Sequence, residues 1–591
     1  MKLLAGLIAC TAAVAFTFAY QATDKNGDIR QDTQLRAMSD ELARSKTLQL
    51  NNLDKPYFIE YSSEDIEELV ASASLGGLTN STRLHLRHPS ATVKVGNYGF
   101  DNTNSVYFST FNFGLFPLDD DYGAMRTALW RTTDSLYKTA TDEITRKRNA
   151  LREISDPDKT PDLAPAKAVR MIEPVPDFPV NKDAWDAKLR DASERFARHP
   201  GVMTSSVRLE ALLSTYRLVN SEGTILRVPR TLDELAIRAS GRAADGERIW
   251  DQQFLTTLDP RRLPDNEALA KAADTVASET EDLSRAPVGE DYSGPVLFER
   301  EAAAQMMAQV LTDAVALRRK PIAPPNSNQP GLQVLESVWS SRVGSKVTPE
   351  WLSIFDNPLE KTYEGVELAG YYTVDDQGVP AQRVTLVDKG AFKGFLLSRV
   401  PIRNLNGSNG HGRLPGAFGT EEAVLGNVFV QAAQALPEPR LKAKLLERVK
   451  SAGLKYGIIL RRLDFPSTAT LGELQSMARQ LQKNGFGRTL NQPILAYRVY
   501  LNGREELVRG LRFREFSAKD LRDIDAASDR PYVLNFVSNG SGLNIADLRT
   551  DATTSSVICP SLLFDSVDLA RAENEIGAPP IVPPPPLIAK Q

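Results

Sequence analysis

The chain has 591 residues, 42% of them hydrophobic and 25% charged, with a formal net charge of −4 at pH 7. That length suits two to four domains of about 150 residues each, and the composition is that of a globular protein with a sizeable core. Charges of both signs run along the whole chain, so no basic footprint for nucleic acid exists, and two cysteines exclude a disulfide framework.

At the start, Lys2 precedes LLAGLIACTAAVAF, a charged segment followed by an apolar one of secretory-signal length. The run from Leu3 to Ala19 is broken by small residues and falls short of the ~20 apolar residues that span a bilayer. The expectation is export, to the periplasm or the medium, with residues 1–19 removed after Ala19 and Ala22 as second choice; an uncleaved anchor is the alternative. Leu7-Ile8-Ala9-Cys10 has the letters of a lipobox, but the apolar run continues past it. Once Cys10 is removed, Cys559 is alone, and its context VICPSLLF is that of a buried small hydrophobe.

In the mature chain, Leu35, Met38, Leu42 and Leu48 predict a helix within 34–50. Tyr57, Ile59 and Tyr61 then share one face of a strand, Asp65 to Ser74 has a helical pattern, and Leu84 to Tyr98 alternates again. His85 and His88, three apart in a strand, point to opposite faces and read as a solvated strand edge, not as a metal pair. Helical stretches at 124–152 and 184–199 flank a Pro- and Asp-rich loop, 156–177. Val207, Leu209, Ala211 and Leu213 alternate with mostly polar neighbours, and Asn220 to Gly223 turns the chain into a returning strand at 224–228. The charged helix 266–285 closes the first domain, so the division is 24–285 and 286–577, with a proline-dense tail at 578–591.

The second domain opens on Gly294-Pro295 and an apolar run. Ala303, Met307, Val310, Ala314 and Leu317 then predict a helix buried along one stripe. A loop at 321–331 leads into a β-rich meander: 371–374, a turn at 375–378, 383–387, a turn at Lys389-Gly390 and 392–398. The glycine-dense Ser408, Asn409, Gly410, His411, Gly412 and Arg413 read either as a wall of a peptide groove or as a plain connection. Further on come a helix at 441–452, a strand at 456–463, a helix at 471–481, and a strand through Leu495, Tyr497, Val499 and Leu501. Asn502-Gly503 turns that strand back into 506–513.

Gly294-Pro295 followed by Glu301-Ala302-Ala303, the Asp375 to Arg383 segment DDQGVPAQR, and Val95 to Thr103 resemble the TldD/PmbA metallopeptidase family. The resemblance implies a two-domain α+β fold, with a curved antiparallel sheet and a buried helix in the C-terminal domain. It also implies extended polypeptide as ligand and a homo- or heterodimer with a related subunit. The family's His-Glu-x-x-x-His would begin seven residues after Glu301, which puts Ala308, Gln309 and Asp313 at its ligand and base positions. Zinc peptidase chemistry needs about three strong ligands and a carboxylate base. Alanine offers no lone pair and an amide is no base, and 539–554, where the family's third ligand is a Cys, holds none. The expectation is therefore no metal, no cofactor and a non-catalytic peptide- or subunit-binding protein. Two alternatives stay open: a hydrolase with another site, drawing on Asp313, Glu299 and Glu301, or a structural envelope protein.

Overall fold

A computed structural model describes residues 29–50, 53–109, 116–155, 158–325, 327, 336–415, 419–465, 490–538 and 553–572. The expected signal segment, the helix read at 471–481, the tail 578–591 and nearly all of 539–554 lie outside the described residues.

Helix α1 (Thr33–Ser45) starts where the Asp32 carboxylate accepts the Leu35 N–H at 3.0 Å, satisfying one of the otherwise orphaned first-turn donors. Strands β1 (Pro56–Ser74) and β2 (Gly77–Asn97) form one long hairpin, turning through Leu75 and Gly76, both at positive φ. The helical pattern expected over 65–74 is overridden. Ladders on both edges of β1 hold the segment extended, and Leu69, Ala71 and Ala73 bury one face at strand spacing. Helices α2 (Tyr122–Leu151) and α3 (Lys182–Glu194) follow. Strands β3 (Thr204–Asn220), β4 (Ile225–Arg242) and β5 (Arg248–Thr257) then extend the sheet beyond β1. Within the expected loop 156–177, Arg170–Ile172 adds a short parallel strand to β4.

The two faces of this sheet differ in kind. Ile59, Tyr61 and Val219 pack under α1 and α2; Leu69, Leu209, Ala211 and Ile237 pack under α3 and helix α4 (Asn266–Arg285). Each fully buried Leu or Ile there contributes about 1.5–3 kcal/mol. The alternate positions, among them Glu64, Arg208, Glu210, Arg230 and Glu234, lie on the opposite face because side chains alternate along a strand.

The second sheet starts at β6 (Tyr292–Phe298), which leads into helix α5 (Glu301–Val315). Strands β7 (Leu352–Asp356), β8 (Val384–Asp388) and β9 (Asn427–Ala432) precede helix α6 (Glu438–Ser451). Strands β10 (Tyr456–Leu463), β11 (Pro493–Tyr500), β12 (Glu505–Val508), β13 (Ile524–Ser538) and β14 (Thr553–Arg571) complete it. The order is β8-β7-β9-β14-β6-β10-β11-β12, with β13 antiparallel to β14. Most ladders are antiparallel, as expected, but β9 runs parallel to β14 and β6 to β10. Helix α5 is buried against this sheet, with Met306, Met307, Leu311 and Val315 fully enclosed.

Two expected strands are absent. Residues 371–374 form no ladder beyond a single bridge from Val374 to Pro380, because the Asp375 carboxylate takes the N–H groups of Gln377, Val379 and Gly412 at 2.8–3.0 Å and closes a loop instead. The strand expected at 392–398 ends at Phe392. Beyond it the Asn409 side chain accepts from Leu397 N at 2.8 Å and donates to the Phe395 carbonyl at 2.9 Å, standing in for a neighbouring strand.

Candidate functional site

The entry to α5 is built tightly. Arg300, at φ +45°, donates its backbone N–H to Ser561 Oγ at 2.9 Å. Along α5 the residues Glu301, Gln305, Gln309 and Asp313 recur every four positions and form its polar stripe. Gln305 donates to Glu301 at 3.0 Å and accepts the Leu463 N–H at 2.7 Å. Gln309 donates to the Gln305 carbonyl at 3.3 Å and accepts the Asn491 N–H at 3.1 Å. Its amide is thus occupied at both ends in anchoring the helix. Ala308 is 2% exposed within the core, and Asp313 is half-buried. A methyl, an engaged amide and one carboxylate supply a single strong donor, where zinc takes about three. Among the described residues, no three His, Cys, Asp or Glu side chains converge on a point that could hold a metal ion.

The other carboxylates near this helix are engaged in ion pairs. Glu299 meets Arg461 at 2.7 Å, and Glu301 meets Arg462 at 3.4 Å. Arg462 also contacts Asp251 of β5 at 2.7 Å and Glu279 of α4 at 2.9 Å, tying α5 and β10 to the first sheet. Burial pushes the carboxyls of Asp251 and Glu301 above the usual range, against the pull of Arg462.

Most of the glycine-dense loop is packed inward. Gly410, His411, Gly412 and Arg413 are buried, while Ser408 and Asn409 are half-buried and turn inward to the 395–397 backbone. His411 is fully enclosed. Its Nδ1 faces two acceptors, the Asn409 carbonyl at 3.1 Å and Asn409 Oδ1 at 3.0 Å, so Nδ1 carries a proton. Its Nε2 lies 3.6 Å from Asp356 Oδ1, and the other Asp356 oxygen accepts the Gly426 N–H at 2.8 Å. Of the outer histidines, His85 pairs with Asp65 at 2.8 Å on the half-exposed edge, in keeping with a strand-edge role.

A cavity of about 260 Å³ opens elsewhere, between the polar face of the first sheet and residues 371–374. Arg413 is the one member of the glycine loop that reaches it, its guanidinium 4.4 Å above the Tyr372 ring. The sheet contributes Glu64, Arg208, Glu210, Arg230 and Glu234, none of which the sequence singled out. Their only signal there was the polar half of an alternating strand, which reads equally as a solvent face. Here Arg208 pairs with Glu210, Arg230 with Asp376, and Ser214 donates to Glu64. Glu234 stands directly opposite Glu210 in the β3–β4 ladder, and burial, reinforced by Glu210, pushes its carboxyl up to about 8. No residue of α5 lines the cavity.

Residues 291–463 match the model of the PmbA/TldA metallopeptidase C-terminal domain, which covers β6, α5 and the chain through β10. A curated relative, a metalloprotease of Archaeoglobus fulgidus, is 32% identical over 80 residues, 14% of this chain. The match spans only 17% of that relative's length. Among solved structures, TldE of Thermococcus kodakarensis aligns over 90% of this chain and 100% of its own, with a TM-score of 0.56 at 13% identity. A Thermotoga maritima protein described as a candidate modulator of a DNA gyrase aligns over 90% and 99%, with a TM-score of 0.55 at 13% identity. The family model fixes on the very segment that holds α5, and the fold is shared from the first sheet to the last strand: residues 291–463 belong to the PmbA/TldA C-terminal domain family, within a chain that has the TldE fold.

Proposed function

We infer that this protein is an exported, non-catalytic member of its family that holds extended polypeptide, or a related subunit, without cleaving it. The observation that carries the reading is Gln309. Where a metallopeptidase helix would present its general base, this chain has an amide tied to the Asn491 N–H and the Gln305 carbonyl. Ala308, at the first ligand position, contributes only a methyl group to the core. An open cavity lined by both charged and apolar side chains supports polypeptide as ligand, and the TldE likeness supports a related subunit as partner. Export rests on Lys2 and the apolar run to Ala19.

The test uses mature protein from its native host. Elemental analysis should find no stoichiometric zinc, and fluorescent casein should stay intact while unfolded polypeptide is retained in a pull-down. Cleavage that a chelator abolishes would overturn the reading. Retention of no chain at all would favour a structural envelope role. Intact mass should show a chain beginning at Tyr20 or Thr23, and a full-length membrane-embedded species would make the segment an anchor.

A further inference from the structure

The cavity carries a charge problem that the protein itself does not solve. Glu210 and Glu234 face each other across adjacent strands, an arrangement of like charges that weakens a sheet. The nearby cations are already engaged. Arg208 is paired with Glu210 and Arg230 with Asp376; Arg413 stacks on Tyr372 and donates to the Thr554 carbonyl at 2.9 Å. Glu64 on β1 accepts from Ser214, and Glu173 adds a further acid to the lining rather than a base. Glu234 Oε2 is left buried without a hydrogen-bond partner. A buried carboxylate in that state is costly unless it takes up a proton or meets a cation.

Resting on the reading that the cavity holds polypeptide, we propose that it receives one lysine or arginine side chain of an extended chain, with Glu234 as the carboxylate that meets the cation. An apolar side chain would leave Glu234 unpartnered, and an acidic one would add to the repulsion between Glu210 and Glu234. The cavity is too small for a folded domain and large enough for one long side chain. The raised Glu234 carboxyl agrees with this geometry, because an empty cavity keeps it protonated near neutral pH while an arriving ammonium replaces that proton. Binding therefore releases a proton to solvent at pH 7. The lysine itself, with a pKa of about 10.4, stays charged throughout.

The test compares labelled twelve-residue Gly/Ser/Thr peptides that carry one central lysine, norleucine or glutamate, by fluorescence anisotropy on the full mature chain. The lysine peptide should bind about 10-fold tighter than norleucine, the size of one charge-assisted hydrogen bond, and glutamate should bind weakest. In Glu234→Gln the lysine advantage should vanish while norleucine binding is unchanged, which also shows that the variant folds. Calorimetry at pH 7 in buffers of different ionisation enthalpy should show a proton released with lysine and none in the variant. Equal binding of lysine and norleucine would overturn the cation site while leaving polypeptide holding intact, and no binding of any peptide would overturn both. Competition by free spermidine as strong as that by the lysine peptide would overturn the assignment to a polypeptide side chain.

Discussion

Arg462 Nη1 lies 2.7 Å from Asp251 Oδ1 and 2.9 Å from Oδ2, joining the end of β10 to β5 across the two sheets. Asp251 is fully enclosed, so its charge depends on that one guanidinium. Arg462→Met should cost about 3–5 kcal/mol, because it strands a buried carboxylate. The loss reads as a lower urea midpoint, and adding Asp251→Asn should recover part of it. A single variant as stable as the parent would mean that the pair contributes nothing.

Stability should fall as the solution turns alkaline. Burial raises the carboxyls of Glu60, Asp233 and Asp375 to about 7 and that of Glu234 to about 8. A raised folded-state value means that the folded protein holds the proton more tightly than the unfolded chain does. That contribution is complete at pH 4 and below, and it is lost as pH rises through 7 to 8. Calorimetry should give a lower Tm at pH 8.5 than at pH 5. Asp233 has both oxygens without a hydrogen-bond partner, so Asp233→Asn should match the parent near pH 4 and exceed it at pH 8.5.

Restoring the metal motif should not restore a metal site. At position 308 an imidazole would have to fit where a methyl is enclosed, so Ala308→His should cost about 1–3 kcal/mol through overpacking. Zinc added during thermal unfolding should not raise the Tm of Ala308→His/Gln309→Glu/Asp313→His. A zinc-dependent rise would show that α5 can still open a coordination site.

Gly410→Ala should be among the more damaging small substitutions. A Cβ there would sit 2.3 Å from the Pro380 carbonyl oxygen, and the residue has φ +76°. The backbone on either side must move, carrying the neighbouring His411 away from Asp356. The expected cost is of order 1–3 kcal/mol, read as a drop in Tm.

Elements governed by local pattern were legible in the sequence. Helix α4 and strand β10 fall on the residues that the pattern marked, 266–285 and 456–463, the helix because it presents one apolar stripe and the strand because Ile458, Ile459 and Leu460 form a short apolar run buried on both faces. Where distant partners decide, the pattern failed. Residues 65–74 carry a helical spacing of Ile66, Leu69 and Val70, yet ladders to β2 and β3 hold them extended. The meander at 371–398 was misread because the side chains of Asp375 and Asn409 take backbone partners that a strand would otherwise supply. The cavity was illegible for a related reason. Glu210 and Glu234 look like solvent-facing alternates until residues 371–374 and Arg413, more than a hundred positions further along, close over them.

Strand β14 lies inside the second sheet, with β13 along one edge and β9 and then β6 along the other. It is the last described element of the chain. The strand that opens the second sheet, β6, therefore waits for a partner translated about 260 residues later. While the chain is being made, the second sheet has an open seam along its middle until residues 553–571 close it. A ribosome that stops short of residue 553 releases a protein whose first sheet is complete and whose second is missing its central strand. Such a fragment exposes bare strand edges, a substrate for quality control rather than a shortened version of the same molecule.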